Sequence, residues 1–195
     1  RKSETSRLLE PFLETALILK KRHPGMTFSL AAPRERTYRN VLEGIEVFAK
    51  KRPEVRELHL DVLCGQTARA MQECGTGLAA SGTVTVESAV AGLPLVVAYR
   101  LHPLTFLLAR IIIRKLFRNA FTMVNIILNR TVFEEFLQFQ VVPEDLADAV
   151  DRVLPGGPRR RQVEADMEEM KRELSCGAEK ATANAARIIL QTIPR

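Results

Sequence analysis

The sequence has 195 residues, enough for one substantial domain with a real core and too few for two large ones. Hydrophobic residues make up 46% and charged residues 27%, which excludes a disordered chain, and the net charge of +6 favours anionic partners: phosphates, acidic lipid head groups or nucleic acid. The three cysteines, Cys64, Cys74 and Cys176, are odd in number, show no CxxC spacing and lie beside no histidine, which argues against a disulfide framework and a zinc site and fits a reducing cytoplasm.

The chain opens Arg1-Lys2-Ser3-Glu4, with neither an apolar signal nor a methionine, a hint that it begins inside a longer protein. The first helix pairs Leu8/Leu9, Phe12/Leu13 and Ala16/Leu17 at four-residue spacing and stops near Pro24-Gly25. A strand is expected over 26–31, a mostly polar helix over 38–51, a strand over 58–63 and a helix over 67–73. The third strand, 76–80, runs directly into Ser81-Gly82-Thr83 and a helix that ends at Gly92. A fourth strand is expected over 94–99, a helix over 104–117 and a fifth strand over 121–124. After Asn125 the pattern predicts a helix over 131–137, another from Pro143, and a hard break at Pro155-Gly156-Gly157-Pro158. Two helices rich in Glu, Arg and Ala close the chain, the last with Ala181, Ala185, Ile188 and Ile189 on one face. This alternation predicts an α/β fold, a doubly wound parallel sheet over 1–154 with a helical C-terminal tail over 155–195 that packs on that domain or crosses from it.

Chemistry concentrates at Ala80-Ser81-Gly82-Thr83, where a buried strand turns into a helix. The first amides of that helix have no intrahelical partner, and with the positive end of the helix dipole they form an anion site. Gly82 lets a phosphate approach the backbone, the Ser81 and Thr83 hydroxyls can cap the helix or bind phosphate oxygens, and Glu87 lies one turn on, where a carboxylate could accept from ribose hydroxyls. Taken alone, the loop reads first as an ordinary N-cap followed by a solvated glutamate. Its place beyond the carboxyl end of a central strand, where open α/β sheets bind ligands, favours the functional reading. The sequence has no GxGxxG, no GxxxxGK[ST] and no GxSxG, so a dinucleotide fingerprint, a P-loop and a nucleophile elbow are unsupported.

The run from Ala79 to Glu87, followed by Pro94-Leu95-Val96-Val97-Ala98-Tyr99-Arg100, closely resembles lipid-A-disaccharide synthase, whose usual form is ASGTATLE…PMVVAYR. Arg1-Lys2-Ser3-Glu4 resembles the end of that family's PGSR-x-SE phosphate loop, and Gly65-Gln66-Thr67 stands at its GQS position. Val124-Asn125-Ile126-Ile127-Leu128 is similar to its PNLL, and the segment from Arg130 to Gln138 to its R-E-L-V-x-E-L-L-Q. Two departures stand out: Gly75 replaces a usual aspartate and Val124 a proline, which fits a divergent member or a degenerate copy.

The resemblance implies the Rossmann-like C-terminal lobe of a two-lobed GT-B glycosyltransferase from a Gram-negative bacterium. Its reaction would transfer 2,3-diacylglucosamine from UDP-2,3-diacylglucosamine to 2,3-diacylglucosamine 1-phosphate, forming the lipid A disaccharide precursor with no cofactor and no metal. Carried over by motif, Arg1, Ser81, Gly82, Thr83 and Glu87 would line the UDP site, with Asn125 and Gln138 nearby. Helix amides and an arginine would stabilise the diphosphate as it leaves. An inverting transfer also needs a general base, which the resemblance places in the N-terminal lobe; no catalytic residue is expected within this sequence, so the chain alone should bind UDP-sugars weakly without turnover.

The stretch from Leu104 to Arg118 is too short to span a bilayer, which needs ~20 apolar residues. On a helical wheel Arg110, Arg114, Lys115 and Arg118 share an arc opposite Leu108, Ile112 and Ile113, and Leu104, Leu107 and Ile111 interrupt it. Such a stripe suits either a core helix with a solvated basic edge or a helix lying on an anionic membrane surface, and the resemblance favours a peripheral place on the inner face of the inner membrane. The alternatives are another GT-B enzyme using UDP-N-acetylglucosamine, and a non-catalytic UDP-sugar-binding remnant of a split or decayed enzyme. Nucleic acid is not expected as a partner: two tyrosines and no tryptophan offer no stacking platform.

Overall fold

The computed structural model describes residues 2–101 and 120–192. Helix α1 (Lys2–Arg22) carries Leu9, Leu13 and Leu17 at four-residue spacing into one apolar cluster, and Leu8 and Leu19 into another. There follow β1 (Ser29–Ala32), α2 (Glu35–Lys51), a 3-10 turn (Pro53–Leu58), β2 (Asp61–Cys64) and α3 (Thr67–Glu73). The chain continues through β3 (Gly77–Ala80), α4 (Val84–Ala91) and β4 (Leu95–Tyr99). Beyond residue 120 come α5 (Met123–Leu128), β5 (Glu134–Leu137), a 3-10 turn (Gln138–Gln140), α6 (Pro143–Val153) and α7 (Arg160–Thr192).

Every strand pair is parallel: β1 lies beside β2, and β3, β4 and β5 form a second sheet in that order. Parallel neighbours require crossover connections, so strands alternate with helices and the fold is α/β with a Rossmann-like pattern. In β4, Leu95, Val96, Val97 and Ala98 are all buried, the continuous apolar run of a strand covered on both faces. Around it Val124, Phe133, Leu146 and Val150 pack with Val163, Met167 and Met170 of α7. The smaller cluster joins Leu9, Leu13 and Leu17 to Val41, Phe48, Val55 and Leu58.

Three elements differ from the sequence reading. The strand expected over 121–124 is instead the start of α5: Thr122 is its N-cap, accepting from the Asn125 amide at 3.4 Å, and this capping overrides the β-branched bias of the run. The helix expected over 131–137 is β5, with alternate side chains serving opposite faces: Glu134 meets Arg152 and Arg159, while Glu135 meets the start of α5. The two closing helices are one continuous α7, anchored early by Arg130, which bonds Asp166 at 2.9 Å and Glu169 at 2.5 Å. The helix expected over 104–117 lies outside the described residues.

Glu134 is mostly buried, its side chain 18% exposed, with Arg152 at 2.6 Å and Arg159 at 2.8 Å. Desolvation pushes its carboxyl up, but the two arginine hydrogen bonds outweigh it and hold the group below its ordinary value. A carboxyl depressed in the fold adds stability above its unfolded value, and that contribution fades as pH falls through the folded one. Glu134→Gln should therefore cost roughly 1–2 kcal/mol at neutral pH, and the gap between parent and variant should close below about pH 4. Urea midpoints across that range check it; a gap independent of pH would show that the ion pairs contribute nothing.

Candidate functional site

Because the strands are parallel, their carboxyl ends share one edge, and the loop from Ser81 to Thr83 leaves that edge directly from β3. Thr83, the N-cap of α4, has helical backbone angles and makes no side-chain cap. The Thr85 amide and hydroxyl both donate to the Gly82 carbonyl, at 3.2 and 2.9 Å, and the Val86 and Glu87 amides donate to the Thr83 carbonyl. Among the described residues, the amides of Gly82, Thr83 and Val84 therefore meet no protein acceptor. The ordinary N-cap reading of Ser81 or Thr83 is not what the chain adopts; both hydroxyls are free of any cap.

The rest of α4 is firmly held. Thr85, Ser88 and Ala89 are buried, Ser88 donates to the Leu93 carbonyl, and Gly92 caps the helix with φ at +81°. Gly82 is different: it is exposed, its φ is not positive, and a Cβ there would meet nothing within 4 Å. Neither backbone conformation nor packing requires glycine at this position. Glu87 is also exposed, one turn into α4, and no cation pairs with it among the described residues.

Arg100 and Gln138 stand at the same edge. The register matches Ala80 with Ala98 and Ala98 with Phe136, and Gly82, Arg100 and Gln138 each lie two residues beyond that row. Gln138 adopts a left-handed φ of +57° and clamps one backbone unit, its side-chain oxygen accepting from the Leu101 amide at 3.0 Å and its nitrogen donating to the Leu101 carbonyl at 3.3 Å. Both ends of the amide are thus engaged with the chain itself.

Asn125 is 2% exposed, and its side chain is saturated. Its Nδ2 donates to the Phe133 carbonyl and to Glu135, both at 2.8 Å, while its Oδ1 accepts from the amides of Val132 and Phe133 at 2.9 and 3.0 Å. All four hydrogen-bonding positions of the amide are used, so Asn125 shapes the segment around α5 and has nothing left over for a ligand. Sequence reasoning missed its partner Glu135, whose carboxylate also accepts from the amides of Phe121 and Thr122 at 2.9 and 2.8 Å. The signal was there in the Glu134-Glu135 pair, which a strand must send to opposite faces.

At the end of β2, the Cys64 thiol lies 3.5 Å from Glu35, and desolvation followed by this acidic neighbour pushes it up, away from a reactive thiolate. Arg1 and the basic segment 104–118 lie outside the described residues. No helix among the described residues is long and apolar enough to cross a membrane.

The family model for lipid-A-disaccharide synthetase matches residues 1–189. Among curated relatives, the chain is similar to the lipid-A-disaccharide synthase of Photobacterium profundum, 32% identical across 99% of this chain and 48% of that protein. Those of Haemophilus influenzae (strain 86-028NP) and Enterobacter sp. (strain 638) are 31% and 30% identical, each across 98% of this chain and 48% of the relative. The chain thus spans about half the length of the curated relatives it matches.

Proposed function

Because the chain belongs to the lipid-A-disaccharide synthase family, we propose that it is the donor-binding half of that glycosyltransferase, residues 1–154 forming the UDP-sugar lobe and 155–195 the tail. The observation that carries this reading is the exposed turn after β3, whose amides at Gly82, Thr83 and Val84 are left for an anion. In this reading the diphosphate of UDP-2,3-diacylglucosamine sits over those amides, and the Ser81 and Thr83 hydroxyls turn to its oxygens. Glu87 accepts from the ribose hydroxyls, and Arg1 adds its charge.

As the acceptor hydroxyl of 2,3-diacylglucosamine 1-phosphate attacks the anomeric carbon and UDP departs, negative charge grows on the diphosphate. Fixed amides aimed at that charge lower the barrier without reorganising. Transfer inverts the anomeric centre, and the general base comes from the N-terminal lobe. Gln138 acts as scaffolding at this edge, where its amide holds Leu101, and Asn125 as scaffolding at the entry to β5. The basic segment 104–118 lies on the anionic cytoplasmic face of the inner membrane, where acylated substrates are presented.

Calorimetric titration of the chain with UDP tests the reading, with an expected Kd on the order of 0.1–1 mM and UMP binding more weakly. No heat with UDP at tenfold higher concentration would sink it. Gly82→Ala offers a sharper version. Its methyl enters open space, so the unfolding midpoint should hold within about 1 kcal/mol, while UDP affinity drops about tenfold as the methyl occupies the phosphate's approach. A variant that binds UDP like the parent would move the phosphate elsewhere.

The departures at Gly75 and Val124 favour one second reading, a binding remnant without transfer. Supplying an N-terminal lobe and assaying for disaccharide separates the two, because the remnant stays silent.

A further inference from the structure

Pro11 stands in the middle of α1 and has no N–H, so the carbonyl four residues earlier, that of Arg7, lacks its intrahelical donor. Arg100 supplies one: its guanidinium donates to the Arg7 carbonyl at 3.4 Å and to the Val141 carbonyl at 2.7 Å. A single side chain at the end of β4 thus joins α1 to the connection between β5 and α6. Among the described residues no carboxylate pairs with Arg100, so these carbonyls are what hold it.

Helix α1 is tied at its two ends by different means. At its last turn Arg22 pairs with Asp148 and Asp151, both at 2.7 Å, in the second half of α6 and away from the carboxyl edge. Near its start Arg100 supplies a polar tie at Arg7, and Arg100 lies two residues past the Ala80–Ala98 row, level with Gly82. Loss of the second tie leaves α1 packed through Leu9, Leu13 and Leu17 and held at Arg22, at Glu14 by Arg52 at 2.8 Å and at Glu10 by Lys51 at 3.5 Å, so what Arg100 fixes is the stretch at Arg7, ahead of those ties.

We propose that Arg100 is a positioning residue of the donor site: by taking the carbonyl that Pro11 orphans, it sets the start of α1 against the turn at Gly82. The proposal rests on the UDP-binding reading above. The missing donor at Pro11 is then a functional device, since it leaves the Arg7 carbonyl without its intrahelical partner and open to Arg100.

The test uses the whole chain, UDP as the probe, and thermal unfolding alongside calorimetry. Arg100→Met should weaken UDP binding about tenfold and lower the midpoint, because a displaced binding group loses affinity steeply with small shifts. Adding Pro11→Ala returns an intrahelical donor to the Arg7 carbonyl. The double variant should regain part of the midpoint while its UDP affinity stays low. Recovery of affinity together with stability would overturn the proposal, reducing Arg100 to a satisfier of one carbonyl, as would an Arg100→Met variant that binds UDP like the parent. Should Arg100→Met fail to fold, Arg100→Lys serves in its place, since it keeps the charge but loses the planar fork whose two nitrogens reach the two carbonyls; it should bind UDP more weakly than the parent, and equal affinity overturns the proposal. A parent chain that binds no UDP removes the donor-site reading and this proposal together.

Discussion

Asn125→Ala lowers the stability of the fold by roughly 3–5 kcal/mol, measured from urea unfolding, the largest loss expected of any single polar substitution described for this chain. The truncation strands the buried amide of Phe133, takes one of two acceptors from the Val132 amide, which keeps the Arg130 carbonyl at 3.1 Å, and deprives the Phe133 carbonyl and Glu135 of a donor. Each buried group left without a partner costs on the order of 1–3 kcal/mol, because water cannot reach it to compensate. Asn125→Asp separates donor loss from acceptor loss. It keeps both acceptor bonds but sets a carboxylate where Asn125 now donates to Glu135 at 2.8 Å. At neutral pH it should be at least as damaging as alanine, and it should recover in mild acid, where one proton shared between the carboxyls restores a donor. A loss under about 1 kcal/mol for the alanine variant would mean that the surroundings collapse onto the gap.

Gly157→Ala is the second large effect. A Cβ at Gly157 would lie 2.5 Å from the carbonyl oxygen of Arg152 and 2.6 Å from that of Asp151, both backbone atoms of the last turn of α6. Neither can rotate away, so the turn must open. The same segment carries the Gly157 amide to the Leu154 carbonyl and the Arg159 amide to the Arg152 carbonyl, which set the departure of α7. Opening it displaces Arg159 from Glu134 and tilts Val163, Met167 and Met170 in the core. The expected cost is roughly 2–4 kcal/mol, a drop of about 5–12 °C in the unfolding midpoint. Gly82→Ala, the same chemical change at an open turn, is its natural control.

The halves of the chain differ in how much they disclose as sequence. Residues 67–99 could be read closely, since Thr67–Glu73, the turn at Ser81 and the apolar run of β4 each announce themselves through neighbours in sequence. Residues 121–137 could not. Val124, Ile126 and Ile127 favour a strand by composition, yet Thr122 and the carboxylate of Glu135, thirteen residues further on, hold the helix start. Glu134 looks like a helix surface residue until Arg152 and Arg159 arrive from α6 and the turn beyond it. The phosphate turn was visible as a position; that its hydroxyls make no cap was not, because capping depends on a backbone angle at Thr83. Nor could sequence assign Arg100, whose two acceptors, the carbonyls of Arg7 and Val141, lie far from it along the chain, the first of them freed by Pro11.

The open space over Gly82 has a bearing on how variants of this protein will sort. In a library of random substitutions, small side chains placed at Gly82 will pass a screen for soluble expression, because nothing within 4 Å meets them. Changes at Asn125 or Gly157 will be discarded there. A selection for folded protein will therefore enrich chains that have silently lost the turn, and only a second selection on ligand will remove them.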